Sequence, residues 1–256
     1  MDDLKNYYEN YDENNRLLTR HGQVEFLTTM HYISKYLQPN SKILEIGTGT
    51  GRYAHALARQ GYEVDAIELV EHNIEIFRQN TEANGKVTIT QGDARNLKGF
   101  VDNKYDITLL LGPMYHIADD SDKLKALSEA IRVTKPGGIV FVAYVMADPA
   151  ILDHGFIKGN IHELLATGLL DPVTFETEYN LFELLRKKDI DKLMTNFATT
   201  RLNYVAADGY APHMREAMAG WDDDTFEVFM RYHLATCERV ELSGVSHHVL
   251  DIFRKG

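Results

Sequence analysis

The sequence ILEIGTGTGRY at residues 43–53 decides the fold, because it joins a short apolar run to three closely spaced glycines and the start of a helical pattern. Gly47, Gly49 and Gly51 allow a tight turn and let a ligand lie against bare main chain. The N-terminal amides of the following helix would point at that ligand. Arg52 departs from the dinucleotide fingerprint G-x-G-x-x-G, so the loop favours a different adenosyl ligand.

Short β-rich runs alternate with helical patterns from residue 42 to about residue 145, which is typical of βαβ units. Strands are predicted at residues 42–46, 63–68, 87–90, 105–111 and 138–145, with helices at 52–60, 71–84 and 121–134. Further strands are predicted at 200–206 and 248–254, around a helix at 224–239 that opens with Asp224 and Glu227 in capping-box spacing. The predicted fold is α/β, a doubly wound, Rossmann-like, mostly parallel sheet of about seven strands.

Two regions depart from this alternation of strand and helix patterns. Residues 1–40 are helical in pattern and rich in tyrosine, and residues 147–199 are again helical and interrupt the sheet. We therefore expect an N-terminal helical cap at 1–40, a cofactor-binding core at 41–146, a helical lid at 147–199 and the C-terminal part of the core sheet at 200–256.

Composition limits the partners of the chain. The 27 Lys and Arg against 38 Asp and Glu give a net charge of −11, which disfavours nucleic acid. No apolar run approaches the roughly 18 residues of a membrane span, so no membrane partner is expected. The acidic start differs from a secretory signal, and Cys237 has no second cysteine to pair with. We expect a cytoplasmic protein, and the sequence leaves its oligomeric state open.

The chain resembles the class I S-adenosylmethionine-dependent methyltransferases, whose first motif, an acidic residue before G-x-G-x-G, is present here at residues 45–51. Glu68 ends the second strand, where the family places an acid on the ribose hydroxyls. Asp93 follows the third strand, where the family sets an Asp against the adenine amino group, and K-P-G-G at 135–138 matches the turn before the fifth strand. The resemblance implies S-adenosyl-L-methionine as cofactor and S-adenosyl-L-homocysteine as product. The implied cofactor residues are Glu45, Gly47, Thr48, Gly49, Gly51, Glu68, Leu69, Asp93, Ala94, Leu111 and Gly112.

A narrower resemblance covers nearly the whole chain. The motifs E-x-x-R-L at 13–17, L-L-G-P-x-Y-H at 110–116, Y-H-L-A-T-C-E at 232–238 and S-x-H at 246–248 resemble a bacterial subgroup of small class I methyltransferases that mostly has no assigned substrate. Arg16 matches the arginine of that subgroup. It is expected to bind the methionine carboxylate as a fork or, alternatively, to form a structural ion pair.

The fourth strand is predicted to end at Leu111, so residues 112–116 should lie beside the methyl group at the carboxyl edge of the sheet. His116 has an ordinary pKa near ~6.5 and is a candidate base or acceptor-orienting group, together with Tyr115. The alternative is that His116 only packs on the following segment. Pro113 and Met114 are expected to line the acceptor side. G-P-M-Y lacks the amide or carboxylate found in relatives that methylate DNA or protein amides.

Tyrosines near the start of the chain are candidates for an aromatic flap. Tyr7, Tyr8 and Tyr11 could close over the cofactor, where their ring faces would attract the sulfonium. In this hypothesis Tyr11 touches the cofactor, while Tyr7 and Tyr8 line the acceptor side. The alternative is surface packing of an N-terminal helix.

The sequence predicts an S-adenosylmethionine-dependent methyltransferase that acts on a small-molecule acceptor through O, N or S. No metal is expected, because His247 and His248 would point to opposite faces of a strand. Three alternatives stay open: a protein- or RNA-directed methyltransferase, a nicotinamide-dependent oxidoreductase, and a module that binds an adenosyl ligand without turnover.

Overall fold

The computed structural model of the protein describes residues 2–82 and 85–256, with nothing said of the Asp2 side chain. Its strands are β1 Lys42–Ile46, β2 Glu63–Glu68, β3 Val87–Gln91, β4 Tyr105–Leu110, β5 Thr134–Met146, β6 Leu184–Leu185, β7 Thr199–Ala206 and β8 His248–Lys255. They form one sheet in the order β3-β2-β1-β4-β5-β8-β7, and the two-residue β6 pairs with β5. Among these strands β8 pairs antiparallel with β5 and with β7, and every other pairing is parallel.

Helices cover both faces of this sheet. They are α1 Asp2–Asn10, α2 Glu13–Arg16, α3 Arg20–Tyr36, α4 Arg52–Arg59, α5 Glu71–Asn80, α6 Asp120–Val133, α7 Ala147–Ala150, α8 Ile161–Ala166, α9 Lys187–Met194, α10 Arg215–Ala219, α11 Asp223–Thr236 and α12 Val240–Ser243. A π-helix spans Ile151–Ile157, and 3-10 turns span Pro113–Tyr115 and Ala211–Met214. The predicted doubly wound, mostly parallel α/β fold is confirmed. None of the helices in the described ranges is both long and apolar enough to cross a bilayer.

The core consists of two apolar layers, one on each face of the sheet. Successive side chains of a strand point to opposite faces, and the central strand β1 shows this directly. Leu44 and Ile46 belong to the cluster that contains Leu127 of α6, whereas Ile43 belongs to the cluster that contains Leu57 of α4. Burial on both faces explains why the central strands are nearly continuous apolar runs.

The predicted helical lid is only partly helical. Within residues 147–199 the helices are α7, the π-helix, α8 and α9, but much of the remainder lies in turns and isolated bridges. The apolar run L-F-E-L-L at 181–185, predicted as helix, instead contains β6, because Leu184 pairs with Val145 of β5. The tertiary contact with the sheet overrides the local helical pattern.

Three element ends also differ from the prediction. Helix α5 ends at Asn80 because Thr81 adopts an extended conformation. The predicted continuation covers residues 83 and 84, which lie outside the described residues. Helix α11 begins one residue early, with Asp222 as its cap: its side chain accepts a hydrogen bond from the Thr225 amide. Strand β5 begins at Thr134 and so includes the K-P-G-G segment predicted as a turn.

Candidate active site

A cavity of about 460 Å³ lies at the carboxyl edge of the sheet, where the glycine loop, the 3-10 turn after β4 and the helices α1 and α2 meet. This is the edge at which open α/β sheets bind their ligands. The predicted site residues that line this cavity are Tyr7, Tyr8, Tyr11, Arg16, Glu45, Gly47, Thr48, Gly49, Glu68, Leu69, Asp93, Ala94, Leu111, Gly112, Pro113, Tyr115 and His116.

The glycine loop contributes main chain to the cavity wall. Gly47 has φ +76° and lies so close to the 3-10 turn that a Cβ would be 2.7 Å from Pro113 Cγ. Gly49 has φ +57°, and a Cβ there would meet nothing nearer than Glu13 Cγ at 3.5 Å. Gly51, predicted in the cofactor site, does not line the cavity. Instead it caps α4, and its close approach to the Phe77 ring leaves no space for a side chain.

Several buried polar atoms at the cavity have no partner among the described residues. Glu45 is 1% exposed, and neither its Oε2 nor Thr48 Oγ1 has a hydrogen-bond partner. The same holds for Asn73 Oδ1 and Arg52 Nε. Burial raises the pKa of Glu45 to about 8. Unpaired buried polar groups are costly in a folded protein, so these atoms indicate a polar ligand.

The other two predicted acids are held by the protein itself. Glu68 accepts hydrogen bonds from the Gly49 amide at 2.8 Å and the Val70 amide at 2.9 Å, which fixes the glycine loop. Burial raises its pKa. Asp93 pairs with the Arg95 guanidinium at 2.6 Å, and the hydrogen bonds from Arg95 lower the pKa of Asp93. Each carboxylate oxygen retains further acceptor capacity for a ligand.

His116 is fixed by hydrogen bonds at both ring nitrogens. Its Nδ1 lies 2.8 Å from the Leu181 carbonyl oxygen, and its Nε2 lies 2.9 Å from the Tyr8 hydroxyl. A carbonyl oxygen only accepts, so Nδ1 carries the proton and Nε2 accepts from Tyr8. Burial lowers the pKa of His116, which favours this neutral form.

The three early tyrosines lie at the cavity mouth. The rings of Tyr7 and Tyr11 stack with centroids 5.0 Å apart, and Tyr7 meets Phe182 edge to face at 5.4 Å. Burial raises the pKa of Tyr7 to about 12, so its hydroxyl stays protonated. Helix α1 and the segment before β6 therefore share an aromatic contact above the cavity.

Two predicted roles need correction. The Arg16 guanidinium lines the cavity, but its fork engages Glu25 at 2.6 and 3.3 Å, and its Nε donates to Glu13 at 3.2 Å. The alternative, a structural ion pair, is what the structure contains. Met114, expected on the acceptor side, is 1% exposed and packs in the core cluster beneath α6, because the 3-10 turn directs it inward.

Sequence reasoning missed one buried cluster at the cavity: Glu25, Asp208 and His248. His248 lines the cavity, and its Nδ1 lies 2.7 Å from Asp208 Oδ2 and 3.4 Å from Glu25 Oε2. The only hint was the S-x-H motif at 246–248. The residues are distant along the chain, and only the antiparallel placement of β8 brings them together.

The same three residues have the ligand types of a metal site, with candidate ligand atoms within 4.8 Å of one another. Glu25 Oε2 already accepts a hydrogen bond from Arg16, and His248 Nδ1 is hydrogen-bonded to Asp208 Oδ2. The Arg16 guanidinium beside Glu25 also repels a second cation. We therefore assign the cluster as an ion-paired network. The absence of a metal stays a prediction.

Residues 43–138 match the family described as "Methyltransferase domain". This segment contains the glycine loop, Glu68, Asp93 and the turn after β4. Within residues 43–138 the chain thus resembles a methyltransferase domain, and the match and the sheet order support the predicted class I family.

The chain is similar to two curated enzymes of quinone biosynthesis. It is 24% identical over 151 residues to a ubiquinone biosynthesis O-methyltransferase of Cereibacter sphaeroides, covering 59% of this chain and 60% of the relative. It is 29% identical over 145 residues to a demethylmenaquinone methyltransferase of Staphylococcus epidermidis, covering 54% and 56%. The chain therefore spans little more than half the length of these relatives.

A solved structure shares the fold over the whole chain. It is an S-adenosylmethionine-dependent methyltransferase, possible histamine N-methyltransferase, from Thermotoga maritima, with a TM-score of 0.59, 18% identity and full coverage of both chains. At this identity the likeness concerns the fold alone.

The cavity residues fit the cofactor of this family. The unpaired Glu45 Oε2 suits the ammonium of a methionine moiety, because a cation beside it would stabilise the ionised carboxylate that burial disfavours. The open side of Gly49 allows a ligand to lie against the loop, and Glu68 and Asp93 offer acceptors for hydroxyl and amino groups. The donor set therefore matches an adenosyl ligand with an amino acid tail.

Proposed function

We propose that the protein transfers a methyl group from S-adenosyl-L-methionine to a small-molecule acceptor, through an oxygen, nitrogen or sulfur atom. One observation carries this proposal: one cavity contains both the glycine loop with its unpaired Glu45 and the hydrogen-bonded pair of Tyr8 on α1 and His116. The proposed cofactor side and acceptor side thus belong to the same cavity.

Methyl transfer from a sulfonium needs alignment and exclusion of water more than stabilisation of a new charge, because the positive charge disappears. When bound, the cofactor supplies an electrophilic methyl group. The glycine loop, Glu45, Glu68 and Asp93 hold its polar ends, and the Tyr7 and Tyr11 rings provide faces that attract a cation. The acceptor is then held on the side of Pro113.

His116 and Tyr115 are proposed to contact the acceptor. Because the Tyr8 hydroxyl occupies His116 Nε2, the proposed role of His116 is to orient the acceptor together with Tyr8. Residues 1–40 act as the cap in this proposal, residues 41–146 as the cofactor-binding core and 200–256 as the rest of the core sheet. The segment 147–199 covers the acceptor from the other side.

The proposal of a small acceptor rests on the volume of the cavity, about 460 Å³, and on the acidic composition of the chain. A net charge of −11 disfavours RNA, and a protein substrate needs an open groove. Two relatives named for quinone pathways favour an aromatic acceptor. The proposal includes no metal, no nucleic acid and no membrane partner, and a cytoplasmic location. A protein- or RNA-directed enzyme is the rival.

Calorimetry with S-adenosyl-L-methionine, S-adenosyl-L-homocysteine and NAD tests the cofactor. We expect both adenosyl ligands to bind and NAD not to bind. Transfer of labelled methyl groups to a panel of small phenols, amines and thiols then tests turnover. Tight NAD binding without sulfonium binding would falsify the proposal, and labelling of RNA or protein alone would favour the rival.

A further inference from the structure

A second imidazole, that of His248, lines the cavity beside Tyr115. His248 is the first residue of β8, and because β8 runs antiparallel, its start lies at the carboxyl edge of the sheet beside Val145 of β5. The ring centroids of Tyr115 and His248 are 5.7 Å apart, and those of Tyr115 and His116 are 6.3 Å apart. Both imidazoles thus lie near Tyr115 at the cavity.

Asp208 fixes the orientation of the His248 ring. Its Oδ2 lies 2.7 Å from His248 Nδ1, while its Oδ1 accepts from Ser246 Oγ at 2.6 Å and from the His248 amide at 3.1 Å. Burial opposes the charge of Asp208, but His248 and Ser246 lower its pKa to about 2. An ionised carboxylate keeps the proton on Nδ1. The other ring nitrogen, Nε2, has no hydrogen-bond partner within residues 2–82 and 85–256.

The charges around His248 stabilise the imidazolium that forms when its ring takes up a proton. Burial disfavours the charge, but Glu25 on α3 and Asp208 after β7 outweigh burial and the nearby Arg16 on α2, so the pKa of His248 is raised. Burial lowers the pKa of the neighbouring His247 to about 4, so it adds no charge at neutral pH. Tyr115, in the turn after β4, is held neutral by burial.

We propose that His248 is the general base of this site, positioned by Asp208 and Glu25, and that the acceptor carries an O–H or N–H proton that must be removed. This inference rests on the proposed methyl transfer. In the neutral ring, with its proton on Nδ1, His248 Nε2 takes the acceptor proton as the acceptor lone pair forms the new bond to the methyl carbon. The bond from sulfur to that carbon breaks, its electron pair stays on sulfur, and the proton leaves His248 for solvent.

The geometry separates the two imidazoles. His116 donates to Leu181 and accepts from Tyr8, so both of its nitrogens are used. His248 has an ionised carboxylate behind Nδ1 and an unpartnered Nε2, which is the arrangement that a general base requires. Asp208 and Glu25 stabilise the imidazolium that forms.

The first test uses the full chain with S-adenosyl-L-homocysteine and ¹⁵N-labelled histidine. In an NMR titration we expect His248 to titrate above the ordinary value of ~6.5 and His116 below it. Asp208→Asn should lower the pKa of His248, whereas Asp171→Asn, at an exposed aspartate, should leave that pKa unchanged. A His248 value at or below the ordinary one, or one that Asp208→Asn does not move, overturns the proposal.

The second test compares matched phenol and thiophenol acceptors with labelled S-adenosyl-L-methionine. A thiolate needs no base, so His248→Gln should reduce phenol methylation about 100-fold or more and change thiophenol methylation only a few-fold. His116→Gln should change the methylation rates of phenol and thiophenol by the same factor. Equal losses in His248→Gln overturn the base role alone.

Two further outcomes are distinguishable. If wild-type protein neither binds the cofactor nor methylates any acceptor, the proposed function is overturned and the base role with it. If a chelator abolishes activity and Mg²⁺ restores it, the cluster of Glu25, Asp208 and His248 holds a metal, and the base role is overturned. We expect activity to be unchanged by the chelator.

Discussion

At the residue scale, Glu45 links the cofactor site to stability. Because its pKa is raised to about 8, the folded state favours the protonated form. Its contribution to stability is complete below the ordinary pKa of ~4.3 and is lost as pH rises through the folded value. Without ligand, the protein should therefore become less stable between these values because of this residue.

Glu45→Gln should remove this pH dependence. We expect the ligand-free variant to gain stability relative to wild type as pH rises from 6 to 8, by up to about 1.4 kcal/mol per pH unit. The same variant should bind S-adenosyl-L-methionine more weakly. Urea unfolding at several pH values measures the first effect, with the exposed Glu63→Gln as control. Parallel stability curves for wild type and Glu45→Gln would contradict the prediction.

Two glycines of the loop should respond differently to alanine. At Gly49 a Cβ has space in the ligand-free protein, so Gly49→Ala should cost only about 1–2 kcal/mol for its left-handed backbone yet weaken cofactor binding strongly. At Gly47 the Cβ would meet the Pro113 ring, so Gly47→Ala should destabilise the fold more. Thermal unfolding and calorimetry distinguish the two. Full cofactor affinity in Gly49→Ala would show that the ligand does not lie against this glycine.

At the scale of elements, Lys123 connects helix α6 to the segment before β6. Its side chain is 2% exposed, and Nζ donates to Glu183 at 2.5 Å and to the Ala118 carbonyl at 2.9 Å. Lys123→Met leaves Glu183 without its cation in a partly buried position. We expect a loss of about 3 kcal/mol in unfolding free energy.

Lys125→Met is the matched control for Lys123→Met. Lys125 lies on the same helix, is 60% exposed and pairs with Asp122, so its loss should cost less than about 1 kcal/mol. Urea unfolding of both variants measures the difference. Equal effects would mean that the contact with Glu183 does not hold the segment in place.

The N-terminal helix should matter for binding more than for folding. Tyr7, Tyr8 and Tyr11 line the cavity, whereas the core clusters contain none of them. Deletion of residues 1–12 should lower the affinity for S-adenosyl-L-methionine at least tenfold, because the aromatic cover and the Tyr8–His116 contact are lost. Calorimetry measures the affinity, and far-ultraviolet circular dichroism checks the fold. Unchanged affinity would reject the aromatic flap.

At the scale of the whole molecule, the sheet determines which distant residues meet. Parallel strands β1, β2, β3 and β4 end at one edge, and the motif residues that follow them line one cavity. The antiparallel β8 begins at the same edge and adds His248. Because β8 runs in the opposite direction to β5, its first residue, His248, lies at the same edge of the sheet as the last residues of β5.

The sequence by itself determined the α/β pattern, the glycine loop and the positions of Glu45, Glu68 and Asp93. Alternation of apolar runs, glycine spacing and capping residues are local properties, and the main strands and helices follow them closely. The apolar pattern could not separate Met114 in the core from Tyr115 at the cavity, because both are apolar enough to be buried and only the turn geometry directs them.

Only the tertiary structure decided the partners of the charged and titratable groups. Arg16 lies on Glu25, His116 between Tyr8 and Leu181, and His248 on Asp208. Except for Arg16 and Glu25, these partners are far apart along the chain, so no local spacing encodes them. Their contacts depend on the direction of β8 and on where α1 packs, which result from long-range pairing and burial.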